Sequence, residues 1–242
     1  MSTRNFVPET GGRTINFTMD GVEVTATEGQ TILEAAAKAG IYIPRLCYLE
    51  GVPPEGHCRL CTVMVNGRPA SACNFPAAPD LVVQSDTDEL NEMRKQIVEM
   101  LFVEGNHICP SCEVSGDCEL QAMGYRLGMT VPRYPYLNPK REVDASHPTV
   151  MIDRNRCILC GRCVRASRCL DGKAVFGFEG RGIHKRLAIN AAGGLADTDV
   201  SPDDAAVNAC PTGCLLVKRQ ANRVPIGQRT YDKVAIGSDI EA

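Results

Sequence analysis

Eleven of the thirteen cysteines in this 242-residue chain fall into three ordered sets. Thiolates at such spacings are the donors that iron–sulfur clusters use. Cys47, Cys58, Cys61 and Cys73 run C-x10-C-x2-C-x11-C. His107, Cys109, Cys112 and Cys118 run H-x-C-x2-C-x5-C. Cys157, Cys160 and Cys163 run C-x2-C-x2-C, with a distant Cys210 followed by Pro211. A C-x2-C step lets two thiolates of one loop reach the same inorganic core, and the other ligands must be brought from elsewhere in the chain. Three such sites in one short chain predict a wire for electrons.

In the first set Cys58 and Cys61 form the tight pair, with Cys47 before it and Cys73 after the following hairpin. Plant-type ferredoxins hold [2Fe–2S] with a related multi-cysteine loop and a distant ligand. Gly51, Gly56 and two prolines suit a backbone that turns around inorganic sulfide. Four cysteines serve a tetrahedral zinc ion as well, so zinc stays open here. The second set has three thiolates, and His107 is the nearest further donor. A neutral imidazole coordinates iron in Rieske centres, and exchanging thiolate for imidazole removes a negative charge and raises the potential. A water molecule beside a non-ligating His107 is the other reading. The third set matches the bacterial ferredoxin run, whose fourth cysteine precedes a proline. Cys210-Pro211 fits, and Cys214 competes within Cys-Pro-Thr-Gly-Cys. Cys169 follows Cys163 with five residues between them, C-x5-C, which breaks a continuous two-cluster motif. Cys169 and Cys214 are the two spare thiols, expected as small buried hydrophobes. Arg162, Arg165 and Arg168 stud the third site and are expected mainly on a solvated or partner-contacting face.

The elements that must position these residues follow from turn and cap chemistry. Alternation over 14–19 and 22–26 around Asp20-Gly21 predicts a hairpin with a type I′ turn. Thr31 and Glu34 form a capping box for a helix over 32–39, ended by Gly40. Strands follow at 62–65, with Asn66-Gly67 as the next turn, and at 81–84. Two hairpins wrapped on one helix make a β-grasp. Leu90, Met93, Ile97, Met100 and Leu101 mark the apolar side of a helix over 89–104, stopped by Gly105. A further helix spans 117–127. Four prolines make 131–148 an extended linker. The class is α+β: a [2Fe–2S] ferredoxin-like domain at 13–88, a helical domain at 89–130, a bacterial-ferredoxin-like domain at 149–220, and a tail at 221–242. Residues 1–12 read as an arm.

Composition narrows the function classes. With 26 Lys and Arg against 29 Asp and Glu, the chain has no basic footprint for nucleic acid. No apolar run approaches a membrane span, and the start lacks a signal-peptide core. Dense cysteine without secretion signals predicts reduced thiolates in the cytoplasm. No G-x-G-x-x-G follows a strand, and there is no Walker loop, no H-E-x-x-H and no nucleophile triad. The chain is therefore expected to hold neither nucleotide nor flavin, no catalytic residues, and no complete active site.

The ordered combination resembles the electron-relay modules of complex I. The residues that carry it are the first cysteine set, the His107 set ending in Cys118-Glu119-Leu120-Gln121, and CILCGRCVR at 157–165. The same series opens NAD-linked formate dehydrogenases and iron-only hydrogenases, whose chains continue into large catalytic domains, whereas this one stops at Ala242. Its compact form is similar to the diaphorase small subunits of soluble NAD-reducing nickel–iron hydrogenases. That likeness extends through GRGIHKRLAIN at 180–190 and PIGQRTYD at 225–232. The resemblance implies one [2Fe–2S] cluster on Cys47, Cys58, Cys61 and Cys73. It implies a [4Fe–4S] cluster on His107, Cys109, Cys112 and Cys118, and another on Cys157, Cys160, Cys163 and Cys210. It departs from the complex I pattern in one place, where only Ile108 separates His107 from its first cysteine instead of three residues. The implied partners are a flavoprotein with FMN and the NAD(H) site and the small and large nickel–iron subunits. The same relay in a formate dehydrogenase or complex I-like enzyme is the alternative within this class. A zinc-stapled scaffold without redox function is the alternative outside it.

Overall fold

The computed structural model describes residues 12–241, so the expected arm at 1–12 lies, apart from Gly12, outside the described residues. Two compact units divide the chain. One comprises the residues up to Ile97 together with those from Ile236 onward, the other Val98–Ala235.

In the first unit, β1 (Thr14–Met19) and β2 (Val22–Thr27) pair antiparallel from Met19 opposite Val22 to Thr14 opposite Thr27. Asp20 and Gly21 both take positive φ, 50° and 82°, as a type I′ turn requires. Strict alternation along β1 turns Ile15, Phe17 and Met19 inward. α1 (Ile32–Lys38) opens on the capping box: Thr31 Oγ1 accepts from Glu34 N, and Thr31 N donates to Glu34 Oε2 at 2.8 Å. Gly40 follows in the left-handed conformation, at φ 76°. β3 (Thr62–Val65) and β4 (Arg68–Ser71) close a second hairpin over Asn66-Gly67. β5 (Val82–Gln84) then inserts between the hairpins, parallel to β1 and antiparallel to β3. The order β2-β1-β5-β3-β4 and the buried face of α1 enclose one core, the β-grasp arrangement expected. Cys61 and Cys73 belong to that core, so the first thiol set is built into the packing.

α2 (Asp88–Val103) forms where the apolar spacing predicts a helix, but the buried stripe is shifted. Leu90, Arg94, Val98 and Phe102 are buried, while Met93, Ile97 and Leu101 are only partly covered and Met100 is exposed. Two charges, Arg94 and Glu99, occupy the inner side. Arg94 donates to the carbonyls of Leu60 (3.1 Å) and Thr62 (2.9 Å), which flank Cys61, and Glu99 accepts from Arg133 Nε at 2.9 Å. A buried guanidinium with carbonyl acceptors escapes the usual desolvation cost. Arg94→Met is therefore expected to strand two acceptors and destabilise the first unit by about 3 kcal/mol. Urea titration followed by hydrogen exchange of β3 and β4 checks it; an unmoved midpoint would show that those carbonyls find other donors.

The second unit contains α3 (Glu119–Arg126), which buries Leu120 and Met123. Its three-stranded sheet runs β10 (Leu215–Val217), β7 (Val150–Asp153), β6 (Val143–Asp144), all antiparallel. α4 (Arg162–Cys169), the hairpin of β8 (Phe176–Glu179) and β9 (Arg186–Ile189), and the short α5 (Ala205–Asn208) complete it. Two connecting stretches are tied down by hydrogen bonds. The 131–148 stretch is extended but pinned: β6 lies within it, Asn106 donates to Pro139 O at 2.7 Å, and Leu137 N donates to Val103 O at 3.0 Å. The 221–242 tail is held as well. Tyr231 N donates to Gly116 O at 2.9 Å and Thr230 N to Asp117 Oδ1 at 2.8 Å, while Gly237 packs against Tyr42 in the first unit.

Candidate metal centres

The first thiol set gathers in the loops around β3 and β4. Cys47 lies within the irregular stretch after α1, Cys58 and Cys61 precede β3, and Cys73 follows β4. Arg59, between the tight pair, takes positive φ (59°), which turns the loop sharply. Cys47, Cys61 and Cys73 are buried and Cys58 is half-buried. Cys58 N donates to Cys47 Sγ at 3.5 Å. The thiols hydrogen-bond in a chain: contact with Cys47, then burial, pushes Cys58 up, and contacts with Cys47 and Cys61 push Cys73 up. Cys61, accepting from Cys73, is held below the usual thiol range. Crowded buried thiols resist ionisation together, so the set needs bound positive charge to become all-thiolate.

The second set lines a pocket with about 320 Å³ of atom-free space, part of it open to solvent. Cys109 starts a 3-10 turn (Cys109–Ser111), Cys112 ends it, and Cys118 is the N-cap of α3. Burial pushes the Cys118 thiol up to about 12, and burial and Cys112 raise Cys109. His107 lines the same pocket, its ring edge-on to Phe102 with centroids 5.4 Å apart. Burial, then Arg156 and Arg141, lowers its pKa to about 4, so the imidazole is neutral at pH 7 and has a lone pair to give. Its Nε2 is buried with no hydrogen-bond partner. An orphaned buried nitrogen beside three thiols fits a fourth ligand better than a packed bystander.

The third set lines a pocket of similar size, about 330 Å³, with Phe178, Leu187 and Pro211. Leu159 and Gly161, both at positive φ, wrap the C-x2-C-x2-C loop, and Cys163 sits in the first turn of α4. Cys210 follows α5, and Cys214 precedes β10. Cys214 donates to both Cys157 and Cys210, which pushes Cys214 up and lowers the other two, Cys210 to about 6. Burial raises Cys160, to about 12, and Cys163. Cys160 and Cys163 each feel the charges of Cys157 and Cys210, and the main influences on Cys214 are its bonds to Cys157 and Cys210. Among the described residues no group of three such side chains is gathered for a single metal ion. A cluster core interposes iron and sulfide between its thiolates, so the pockets suit it.

The second and third sets adjoin. Cys118 Sγ donates to Pro211 O at 3.5 Å, and Glu119 N donates to the same oxygen at 3.0 Å. The residue after Cys210 thus touches the last thiol of the other pocket. Arg162 closes the junction with a two-pronged pair to Glu119, at 2.5 and 2.8 Å. This corrects the expected solvated arginine face: Arg162 and Arg165 are buried and only Arg168 is exposed. Arg162 is paired with Glu119, and Arg165 donates to the carbonyls of Cys160 and Gly161. Cys169 is also corrected, since it is exposed at the end of α4, while Cys214 is buried as expected.

Three positioning features were not read from the sequence. Gly105 is not a left-handed helix cap; a Cβ there would stand 2.5 Å from His107 Nε2 and 2.9 Å from Asn155 O. Its place two residues before His107 was the available clue. Arg229 donates to Ser115 O at 2.9 Å and crosses Gly116, closing the loop between Cys112 and Cys118. Arg141 donates to the carbonyls of Cys157 (3.2 Å) and Glu104 (3.1 Å).

Residues 12–88 match the family described as 2Fe-2S iron-sulfur cluster binding domain. Residues 94–133 match the NADH-ubiquinone oxidoreductase-G iron-sulfur binding region, and 150–217 the 4Fe-4S single cluster domain. Each match contains one thiol set. The chain is 45% identical over 221 residues to the NAD-reducing hydrogenase HoxS subunit gamma of Cupriavidus necator, covering 90% of this chain and 93% of that one. It is 34% identical to the NADPH-Fe(3+) oxidoreductase subunit alpha of Geobacter sulfurreducens, over 84% of this chain but 24% of that protein. In a crystal structure of NAD+-reducing [NiFe]-hydrogenase in the H2-reduced state, one chain superposes with TM-score 0.88 at 47% identity, covering 90% of this chain and 93% of that one.

Proposed function

Because this chain belongs to the family of the iron–sulfur gamma subunit of NAD-reducing hydrogenase, we propose that it conducts electrons between nickel–iron hydrogen-activating subunits and a flavoprotein that holds FMN and NAD(H). It is an electron-transfer subunit of an oxidoreductase, with one [2Fe–2S] and two [4Fe–4S] domains. The observation that carries the relay reading is the junction at Pro211, where the second and third thiol pockets meet through one carbonyl.

In this proposal Cys47, Cys58, Cys61 and Cys73 hold the [2Fe–2S] cluster. His107, Cys109, Cys112 and Cys118 hold one [4Fe–4S] cluster, and Cys157, Cys160, Cys163 and Cys210 the other. When bound, the clusters supply one-electron oxidation and reduction, which a flavin turns into two-electron hydride chemistry. The protein's own part is to space, desolvate and charge-balance the sites. Arg162, with Glu119, sets positive charge beside Cys163 while Glu119 follows Cys118, so this pair biases the potentials of neighbouring sites. Arg141 steadies the Cys157 loop through its carbonyl.

Cysteines that form no disulfide among the described residues suit a reducing compartment, and the cytoplasm is the proposed location. Among the described residues no helix is long and apolar enough to cross a membrane. The larger reductase matches over only a quarter of its length, whereas the hydrogenase subunit matches over 93%, which favours the hydrogenase assembly.

The test is metal and acid-labile sulfide analysis of the anaerobically purified native complex. About ten irons per chain, with matching sulfide, are expected. Zinc without sulfide would end the relay reading in favour of a stapled scaffold.

A further inference from the structure

The second thiol pocket has a charged wall that its proposed ligands do not account for. Arg156 lines the pocket together with His107, Cys109, Cys112 and Cys118. The backbone of Arg156 belongs to the third site, in the 3-10 turn (Arg154–Arg156) that leads directly into Cys157. Its side chain belongs to the second. Three separate segments hold it in that place. Nη1 is ion-paired with Glu113, the residue after Cys112, and Nε with Asp153 Oδ2 at 3.1 Å. Thr212 Oγ1 donates to the Arg156 carbonyl at 2.8 Å. Gly213 leaves the space the side chain crosses, since a Cβ there would stand 3.1 Å from Arg156 Nη1 and 3.3 Å from Cδ. Thr212 and Gly213 lie between Cys210 and Cys214, so the run that closes the third site also seats an arginine of the second.

The charges that act on this pocket are of both signs. Arg156 and Arg141 are positive, Glu113 and Asp153 negative. The side chains of Arg156 and Asp153 are only 18% and 13% exposed, and that of Glu113 is 33%, so water screens the group incompletely. Arg156 acts on both kinds of proposed ligand. It is drawn to the charge of Cys112, and after burial it is the largest influence that keeps His107 neutral. A positive charge fixed beside an iron–sulfur cluster favours the form that carries the extra electron. A negative one opposes it.

We propose that Arg156 is a positioning residue of the second site: its fixed guanidinium raises the reduction potential there, and Glu113 is the counter-charge that limits the rise. The proposal rests on the relay reading and adds the residues by which the chain sets the potential of one cluster. Because Glu113 and Arg156 form one ion pair, a purely structural role and a tuning role differ in sign. Breaking the pair from either side loosens the loop in the same way. Its effect on the site's charge is opposite.

The experiment is redox titration of the anaerobically purified complex followed by electron paramagnetic resonance, the second-site signal being the one that Cys118→Ser removes. Arg156→Gln deletes the positive charge and leaves Glu113 and Asp153 unpaired. It is expected to shift the second site's one-electron equilibrium on the order of tenfold toward the oxidised form, about 59 mV downward. Glu113→Gln deletes the counter-charge and is expected to shift it several-fold the other way. Arg156→Lys keeps the charge without the planar fork and is expected to recover most of the potential that Arg156→Gln loses. Iron and sulfide in Glu113→Gln and Arg156→Lys should equal wild type. An unmoved potential in Glu113→Gln, or shifts of the same sign in Glu113→Gln and Arg156→Gln, overturns the proposal and leaves the relay standing. Should Arg156→Gln lose the second cluster, the other two variants decide: an upward shift in Glu113→Gln with a near wild-type potential in Arg156→Lys supports the proposal, and any other result overturns it. Absence of iron and sulfide from the wild-type chain strikes the relay itself.

Discussion

Cys210→Ser is expected to remove the third cluster, lowering iron by about four atoms per chain, whereas Cys214→Ser leaves it in place. Both thiols reach the pocket, so proximity does not choose between them. Their hydrogen bonding does. Cys210 accepts from Cys214 and from the backbone of Leu215 and Thr212, which lowers its pKa to about 6. Cys214 is the donor in its bonds to Cys157 and Cys210, and so is the thiol held protonated. The group already stabilised as an anion is the one that iron captures at least cost. Cys160 and Cys163 also each feel the charge of Cys210, which supports the proposed grouping of these thiols.

Serine at 210 offers a hard hydroxyl with a far higher pKa in place of a soft thiolate. The change is read by iron and sulfide content and by low-temperature electron paramagnetic resonance of the reduced chain. Loss of the third-site spectrum in Cys214→Ser, with retention in Cys210→Ser, would reverse the ligand assignment. The same result would turn Cys210 into the donor that tunes its neighbour.

The parts of this molecule that were legible in its sequence are those whose chemistry is local. Asp20-Gly21 and Asn66-Gly67 specify tight turns because only certain residues adopt paired positive φ, and both turns form. Thr31 and Glu34 satisfy each other across one helical turn. C-x2-C spacing is likewise a statement about a single loop. The misread features depend on partners distant in sequence. The inner side of α2 could not be read from hydrophobic spacing because Arg94 is paid for by carbonyls 32 and 34 residues away. Arg162 looked like a surface charge until Glu119, 43 residues earlier, was brought to it. The segment around Arg229 gains its order from Ser115, 114 residues upstream. Periodicity assumes that charge belongs in water, and these sites evade that rule by importing acceptors.

His107→Cys is expected to keep the second cluster and to lower its reduction potential by on the order of 100 mV, because a thiolate adds a negative charge that imidazole does not carry. The geometry that makes His107 available depends on Gly105. An alanine methyl there would meet Nε2 at 2.5 Å and Cδ2 at 2.7 Å, closer than real contacts allow, and Asn155 O at 2.9 Å prevents retreat. The ring must then move away from its place beside Cys109, Cys112 and Cys118. Gly105→Ala is accordingly expected to cost most of the second-site spectrum without changing the first or third. Combining it with His107→Cys removes the ring from the clash and should return part of that spectrum, which general misfolding would not do. Redox titration followed by electron paramagnetic resonance reads each variant. A second-site potential unmoved by His107→Cys would mean that the imidazole never bound iron, and the orphaned Nε2 would then need another partner.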